Sequence, residues 1–197
     1  MADDANTRER ILRTAVGLFQ RQGYHATGLN QVLADAKAPK GSLYFHFPRG
    51  KEQLAAAAVV TGGAELADEL RVALADSAGP ADGLAAVARI LGSRLTESGF
   101  RAGSPVATVA LDAAGDSEPI RAACARAYSS WGELLAGRLD AWGVPEQHRE
   151  SLATTVIAAL EGALLLARVK RDLAPLHEAA ERIGDLVANE CRTPTGL

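Results

Sequence analysis

The sequence predicts an all-α protein of about nine helices. Three observations carry that expectation. Alanine is abundant and β-branched residues are few across 197 residues, which favours helix almost everywhere. No run alternates apolar and polar residues as a half-buried strand does. Apolar residues instead recur at helical spacing between Gly- and Pro-rich breaks. In one stretch they fall at Ile120, Cys124, Ala127, Tyr128, Trp131, Leu135, Leu139 and Trp142.

The first helix is expected from about Thr7 to Gln22. Asn6 with Glu9 resembles a capping box, and Ile11, Leu12, Ala15, Leu18 and Phe19 form one apolar face. Gly23 ends it and Tyr24 follows as an anchor. A second helix is expected from Leu29 to Ala36 with Thr27 as its N-cap, and a short third from Pro39 to His46, opened by a proline in its first turn. Two short helices joined by about three residues form a helix-turn-helix, with the first helix packed across both.

The body begins with a long helix from Lys51 to about Ala75, interrupted at mid-length by Gly62-Gly63. Gly79-Pro80 opens the next, to Glu97. A loop covers 98–105, and Val106 to Ala113 is a short helix. Ser117 and Pro119 open a helix to Trp142, Gly143-Val144-Pro145 breaks it, and a long helix follows to Lys170. The last runs from about Pro175 to Cys191, leaving TPTGL as a frayed tail. The expected domains are 1–52, a helix-turn-helix head, and 53–197, a larger helical body.

The net charge of −3 hides an asymmetry: residues 1–52 hold eight Lys/Arg against five Asp/Glu, whereas 53–197 hold thirteen against nineteen. A basic head on an acidic body suits a polyanionic partner. Cys124 and Cys191 share no metal spacing, and His148 and His177 read as surface residues without a metal partner, so neither cofactor nor metal is expected. The polar start MADDANTRER does not read as a signal peptide. The longest uncharged run, Gln53 to Ala64, falls well short of a bilayer span. A soluble cytoplasmic protein with no membrane partner is expected.

Residues 38–54, APKGSLYFHFPRGKEQL, concentrate function. A chain with nine aromatics places Tyr44, Phe45 and Phe47 within four residues, beside Lys40, His46, Arg49 and Lys51. Leu43 and Phe47, four apart, can anchor the short helix. Lys40, Gly41, Ser42, Tyr44 and His46 face outward. Gly41 lets backbone approach a partner closely, and the Tyr44 hydroxyl and His46 ring can donate to phosphate. Lys51 sits at a helix start, where free N–H groups also favour an anion. Ser42 and His46 have the spacing of a nucleophile and base, but no third acid, strained elbow or oxyanion hole accompanies them, so no catalytic residue is assigned.

Thr7 to Leu54 resembles the N-terminal domain of the TetR family of bacterial transcriptional regulators. The resemblance lies in ILRTAVGLFQRQGYHAT, LNQVLADAKAPKGSLYFHF and the closing GKEQL. LYFHFPRGKEQL, with an extra residue before the lysine, and GSPVATVALDAA further resemble the branch named for a lincomycin-resistance regulator. In that branch a cysteine more often precedes the proline, where this chain has Ser104. The resemblance implies DNA contacts from Thr27, Lys40, Gly41, Ser42, Tyr44, His46 and Lys51. It implies a homodimer through the last two long helices, about 146–170 and 175–190. It also implies a body pocket whose occupation spreads the two heads and releases the operator.

The body residues admit two readings each. Phe100, Tyr128, Trp131 and Trp142 are pocket lining or plain core. Asp112 is a polar pocket contact or a solvated position. Glu161, in the apolar run TTVIAALEGALLLA, pairs with a cationic ligand or with an arginine across the dimer, or is a half-exposed helix residue; Gly162 beside it suits a close helix approach. The expectation is a repressor that binds a palindromic operator as a dimer and is released by a small hydrophobic effector. Its rivals are an activator, a ligand-independent regulator, and, more remotely, an all-α enzyme or an adaptor whose head binds protein.

Overall fold

The computed structural model describes residues 2–192, with side chains over 6–191. Nine helices and no strand occur among the described residues. They are α1 (Ala2–Ala26), α2 (Leu29–Asp35), α3 (Ser42–His46), α4 (Gly50–Ala75), α5 (Pro80–Glu97), α6 (Ala107–Ala113), α7 (Glu118–Ala141), α8 (Glu146–Lys170) and α9 (Ala174–Arg192). The expected frayed tail, 193–197, lies outside the described residues.

The helices fall into two compact units, one of residues 1–65 with 101–128, the other of 66–100 with 129–197. In the first, α1 packs on α2, α3 and α6. Ile11, Ala15, Leu18 and Phe19 of α1 are buried, as their spacing predicts, with Val32, Leu33, Leu43, Phe47 and Leu54. In the second unit α5 packs on α8 and α9, and α8 on α9. Leu84, Val87, Leu91 and Leu95 of α5 are buried there, as are Leu152, Val156, Leu160 and Leu164 of α8. This burial stabilises each helix far more than its intrinsic propensity does.

Several local expectations are corrected. Helix α1 starts at Ala2, so Asn6 is inside it and Glu9 pairs with Arg13 at 2.8 Å instead of closing a capping box. Helix α3 begins at Ser42 rather than Pro39; residues 39–42 form a turn closed by Ser42 N–H donating to the Pro39 carbonyl at 3.0 Å. The N-cap of α2 is Gly28, not Thr27. Gly62-Gly63 do not interrupt α4, which is continuous. Both are buried, and an added Cβ would come within 3.0 Å of Pro105 Cβ at Gly62 and 3.1 Å of Ala127 Cβ at Gly63. They are glycines because neighbouring segments pass close by. His148 is not an isolated surface histidine: its Nδ1 lies 2.6 Å from Glu190 Oε2, joining α8 to α9.

Helix α8 also revises the hydropathy reading. It is long and apolar enough to cross a membrane by length and composition, although Glu161 interrupts its uncharged run. Its buried stripe against α9 marks a core helix, and a second apolar face remains outward, with Leu165, Leu166 and Val169 exposed. Cys124 is buried, and burial pushes its thiol up, away from reactivity. Ser104 is also buried. Its Oγ accepts from Val106 N–H at 3.2 Å and Ala107 N–H at 3.1 Å, capping the entry to α6.

Candidate nucleic-acid interface

The five residues of α3 divide inside from outside. Leu43 and the C-capping Phe47 are almost fully buried, and the Arg8 guanidinium lies 5.3 Å from the centre of the Phe47 ring. Phe47 N–H donates to the Leu43 carbonyl at 2.7 Å, closing the helix. Tyr44 is 63% exposed, Lys40 and Gly41 are exposed, and Ser42 and His46 are half-buried. The face expected to meet a partner is therefore presented.

Gly41 has ordinary helical angles, φ −71° and ψ −22°, and nothing lies within 4 Å of where its Cβ would be. The fold does not require glycine there. Glycine in a helical position costs about 0.5–1 kcal/mol relative to alanine. A bare backbone at this exposed point therefore suits an approaching partner.

Lys51, in the first turn of α4, is half-buried. Its Nζ donates to the His25 carbonyl at 3.3 Å and lies 4.5 Å from the centre of the Tyr24 ring. Burial pulls its ammonium below the ordinary lysine range, and the Asp112 carboxylate partly offsets that. A cation steadied by a carbonyl and a ring at a helix start is suited to meet a phosphate.

Two expected site residues are held by contacts within the chain. Thr27 is only 1% exposed, and its hydroxyl donates to the Gly23 carbonyl at 2.7 Å. Its side chain is turned inward, where it closes the end of α1. Asp112 on α6 accepts Tyr24 N–H through Oδ2 at 2.8 Å, while its own carbonyl lies 2.8 Å from His25 Nε2. Gly23 has φ 79°, and a Cβ there would collide with the Asp112 carboxylate. Asp112 thus binds the end of α1. Glu52 completes this junction by accepting the Ser117 hydroxyl at 2.7 Å.

The Asp112 junction makes a prediction. Asp112→Ala removes the acceptor from the Tyr24 N–H and should cost about 1.5–3 kcal/mol, as for a hydrogen bond to a charged group. Urea unfolding gives the cost, and hydrogen exchange should accelerate at the Tyr24 amide. Unchanged exchange at that amide would show the contact to be idle.

The remaining body candidates are dispersed. Tyr128 on α7 is half-buried and belongs to the first unit; Trp131 on α7 is buried in the second. Phe100 is half-buried in the loop after α5 with φ 60°, and Glu161 on α8 is half-buried. A groove of about 790 Å³ lies along α4 and α5 between Glu69, Ser77, Asp82, Arg89 and Glu97, and none of these candidates lines it. Phe45, to which no role was assigned from sequence, is 72% exposed between Tyr44 and His46. With Leu43 and Phe47 inward, position 45 falls on the outer face.

A short helix with a polar and aromatic outer face, locked by two buried side chains onto a longer helix, defines a helix-turn-helix DNA-binding regulator. Comparison with known proteins makes the assignment specific. Residues 11–58 match the family described as bacterial regulatory proteins, tetR family, and residues 80–182 match the transcriptional regulator LmrA/YxaF-like C-terminal domain. The chain belongs to the TetR family of transcriptional regulators, in the branch with an LmrA/YxaF-like C-terminal domain. It is 37% identical over 187 residues to the HTH-type regulator YxaF of Bacillus subtilis, covering 95% of this chain and 98% of that one. It is 38% identical over 186 residues to the HTH-type regulator LmrA of the same organism, covering 92% and 97%. Among solved structures, a TetR regulator from Chloroflexus aurantiacus superposes with TM-score 0.81 at 27% identity, covering 96% of this chain and 98% of that one. These relatives are regulators, not enzymes.

Proposed function

We propose that this DNA-binding regulator is a repressor that holds a palindromic operator as a homodimer and releases it when a small hydrophobic effector binds the body. The observation that carries the reading is the outer face of α3, where Lys40, Gly41, Tyr44 and His46 are presented while Leu43 and Phe47 are buried. Ser42 beside them and Lys51 at the start of α4 complete the proposed phosphate contacts. Two such heads, placed in successive major grooves, require a roughly two-fold operator. The functional division then falls near residue 52, with a DNA-binding head at 1–52 and a ligand-binding and dimerising body at 53–197. A DNA partner supports a cytoplasmic location.

Dimerisation is assigned to α8 and α9. The outer face of α8 carries Thr155, Ala158, Gly162, Leu165, Leu166 and Val169, all exposed, and Leu186 of α9 is exposed too. Nothing lies within 4 Å of a Cβ at Gly162, so the protomer itself does not require glycine there. Small and apolar residues along one face suit the same face of a second copy. Effector binding is supported by family membership, with Phe100, Tyr128, Trp131 and Glu161 as the proposed ligand-facing residues. Helix α4, which carries Lys51 and continues to Ala75, is the proposed lever. The effector acts only if it prefers the conformation with mis-spaced heads. The repressor assignment is supported by a relative named as a repressor, NemR of Escherichia coli, 26% identical over 193 residues.

The test is fluorescence anisotropy with DNA flanking the protein's own gene, across a salt series. Selective binding should fall steeply with salt. Lys51→Ala should weaken it and lower the log–log salt slope by roughly 1 per protomer. An unchanged slope removes Lys51 from the phosphate contacts. Effector-induced release would decide against an activator or ligand-independent regulator, and absence of any selective binding would favour a protein-binding head.

A further inference from the structure

Phe45 is the one side chain of α3 that is both strongly exposed and purely apolar; it is 72% exposed. A phenyl ring cannot donate to a phosphate, so the role proposed for Tyr44, Lys40 and Lys51 is closed to it. Its ring meets the His46 imidazole edge-on, with centroids 4.9 Å apart and planes at 78°. Phe45 N–H donates to the Gly41 carbonyl at 3.4 Å, so Gly41 lies one turn earlier on the same face. Side chains on a helix lean toward its N-terminus, over the preceding turn. The preceding turn at this point has no side chain, and nothing lies within 4 Å of where a Cβ would stand at Gly41. The exposed ring therefore stands one helical turn from a stretch of bare backbone in open space.

The major groove offers one apolar feature to such a ring, the C5-methyl group of thymine. We propose that Phe45 is a specificity-determining residue that reads a thymine methyl in each half-site, with Gly41 leaving room for it. This rests on the DNA-binding reading above and adds base recognition to a face whose other groups mainly contact phosphate. Because Phe45 lies outside the core, its replacement leaves the head folded.

The experiment uses the full chain. A duplex is selected in vitro from a random-sequence library, and each thymine is then replaced by deoxyuridine, which removes only the methyl. One symmetry-related pair of positions should weaken binding by about fourfold per half-site, roughly fifteenfold when both are changed, as expected for burying one methyl group. Phe45→Ala should bind the selected duplex more weakly and lose that sensitivity, while circular dichroism shows unchanged helix content. Phe45→Leu should restore part of it. A scan that is neutral at every thymine overturns the proposal, as does sensitivity that persists in Phe45→Ala or a selected duplex without thymine in its half-sites. Failure to select any duplex overturns the DNA-binding reading itself, so the two failures are distinguishable.

Discussion

Phe47→Ala should destabilise the protein by about 3–5 kcal/mol, the range for deleting a fully buried phenyl ring. Phe47 is 1% exposed and caps α3, so its loss leaves a cavity where the short helix meets α1. A helix of five residues cannot persist without tertiary anchoring. Total stability of a domain is only about 5–15 kcal/mol, so the loss is a large fraction of it. Urea unfolding should show the shift in midpoint, and anisotropy should show loss of selective DNA binding. Phe45→Ala, two residues away, provides the contrast: little change in stability, with altered DNA selectivity. A cost below about 1 kcal/mol for Phe47→Ala would be that of a surface change and would refute the anchoring role.

The second large effect is expected from the double variant Leu166→Glu, Val169→Glu. Both positions are exposed in the protomer, at 53% and 74%, so the change should leave the folded chain intact. In the proposed seam each carboxylate would be buried against the partner's apolar face without a counter-ion. An uncompensated buried charge costs about 3–5 kcal/mol, which is enough to weaken association by more than roughly a hundredfold. Sedimentation velocity should show a monomer at concentrations where the parent is a dimer. DNA affinity should fall with it, because one head then binds a half-site alone. A variant that still sediments as a dimer would place the interface elsewhere.

Other parts of the site were legible only in part. The inward and outward division of residues 40–47 follows from helical periodicity alone, and the structure bears it out at Leu43, Phe47 and Tyr44. The inward turn of Thr27 was not legible. A threonine before a helix reads equally as a cap or a surface hydroxyl, and only the nearby Gly23 carbonyl decides between inward and outward. The Asp112 junction was less legible still, because its partner Tyr24 lies 88 residues away.

By itself the sequence determined the helical class and the positions of most breaks, because propensity, periodicity and Gly/Pro punctuation act within a few residues; the family was legible through the resemblance of its motifs. Tertiary structure alone decided what distant segments do to one another. It made Gly62-Gly63 a close-packing pair rather than a break, joined residues 101–128 to the head unit, and committed Asp112 to the end of α1. The physical reason is range. A helix is specified by neighbours one turn apart, whereas a buried contact depends on which remote surface the folded chain brings against it.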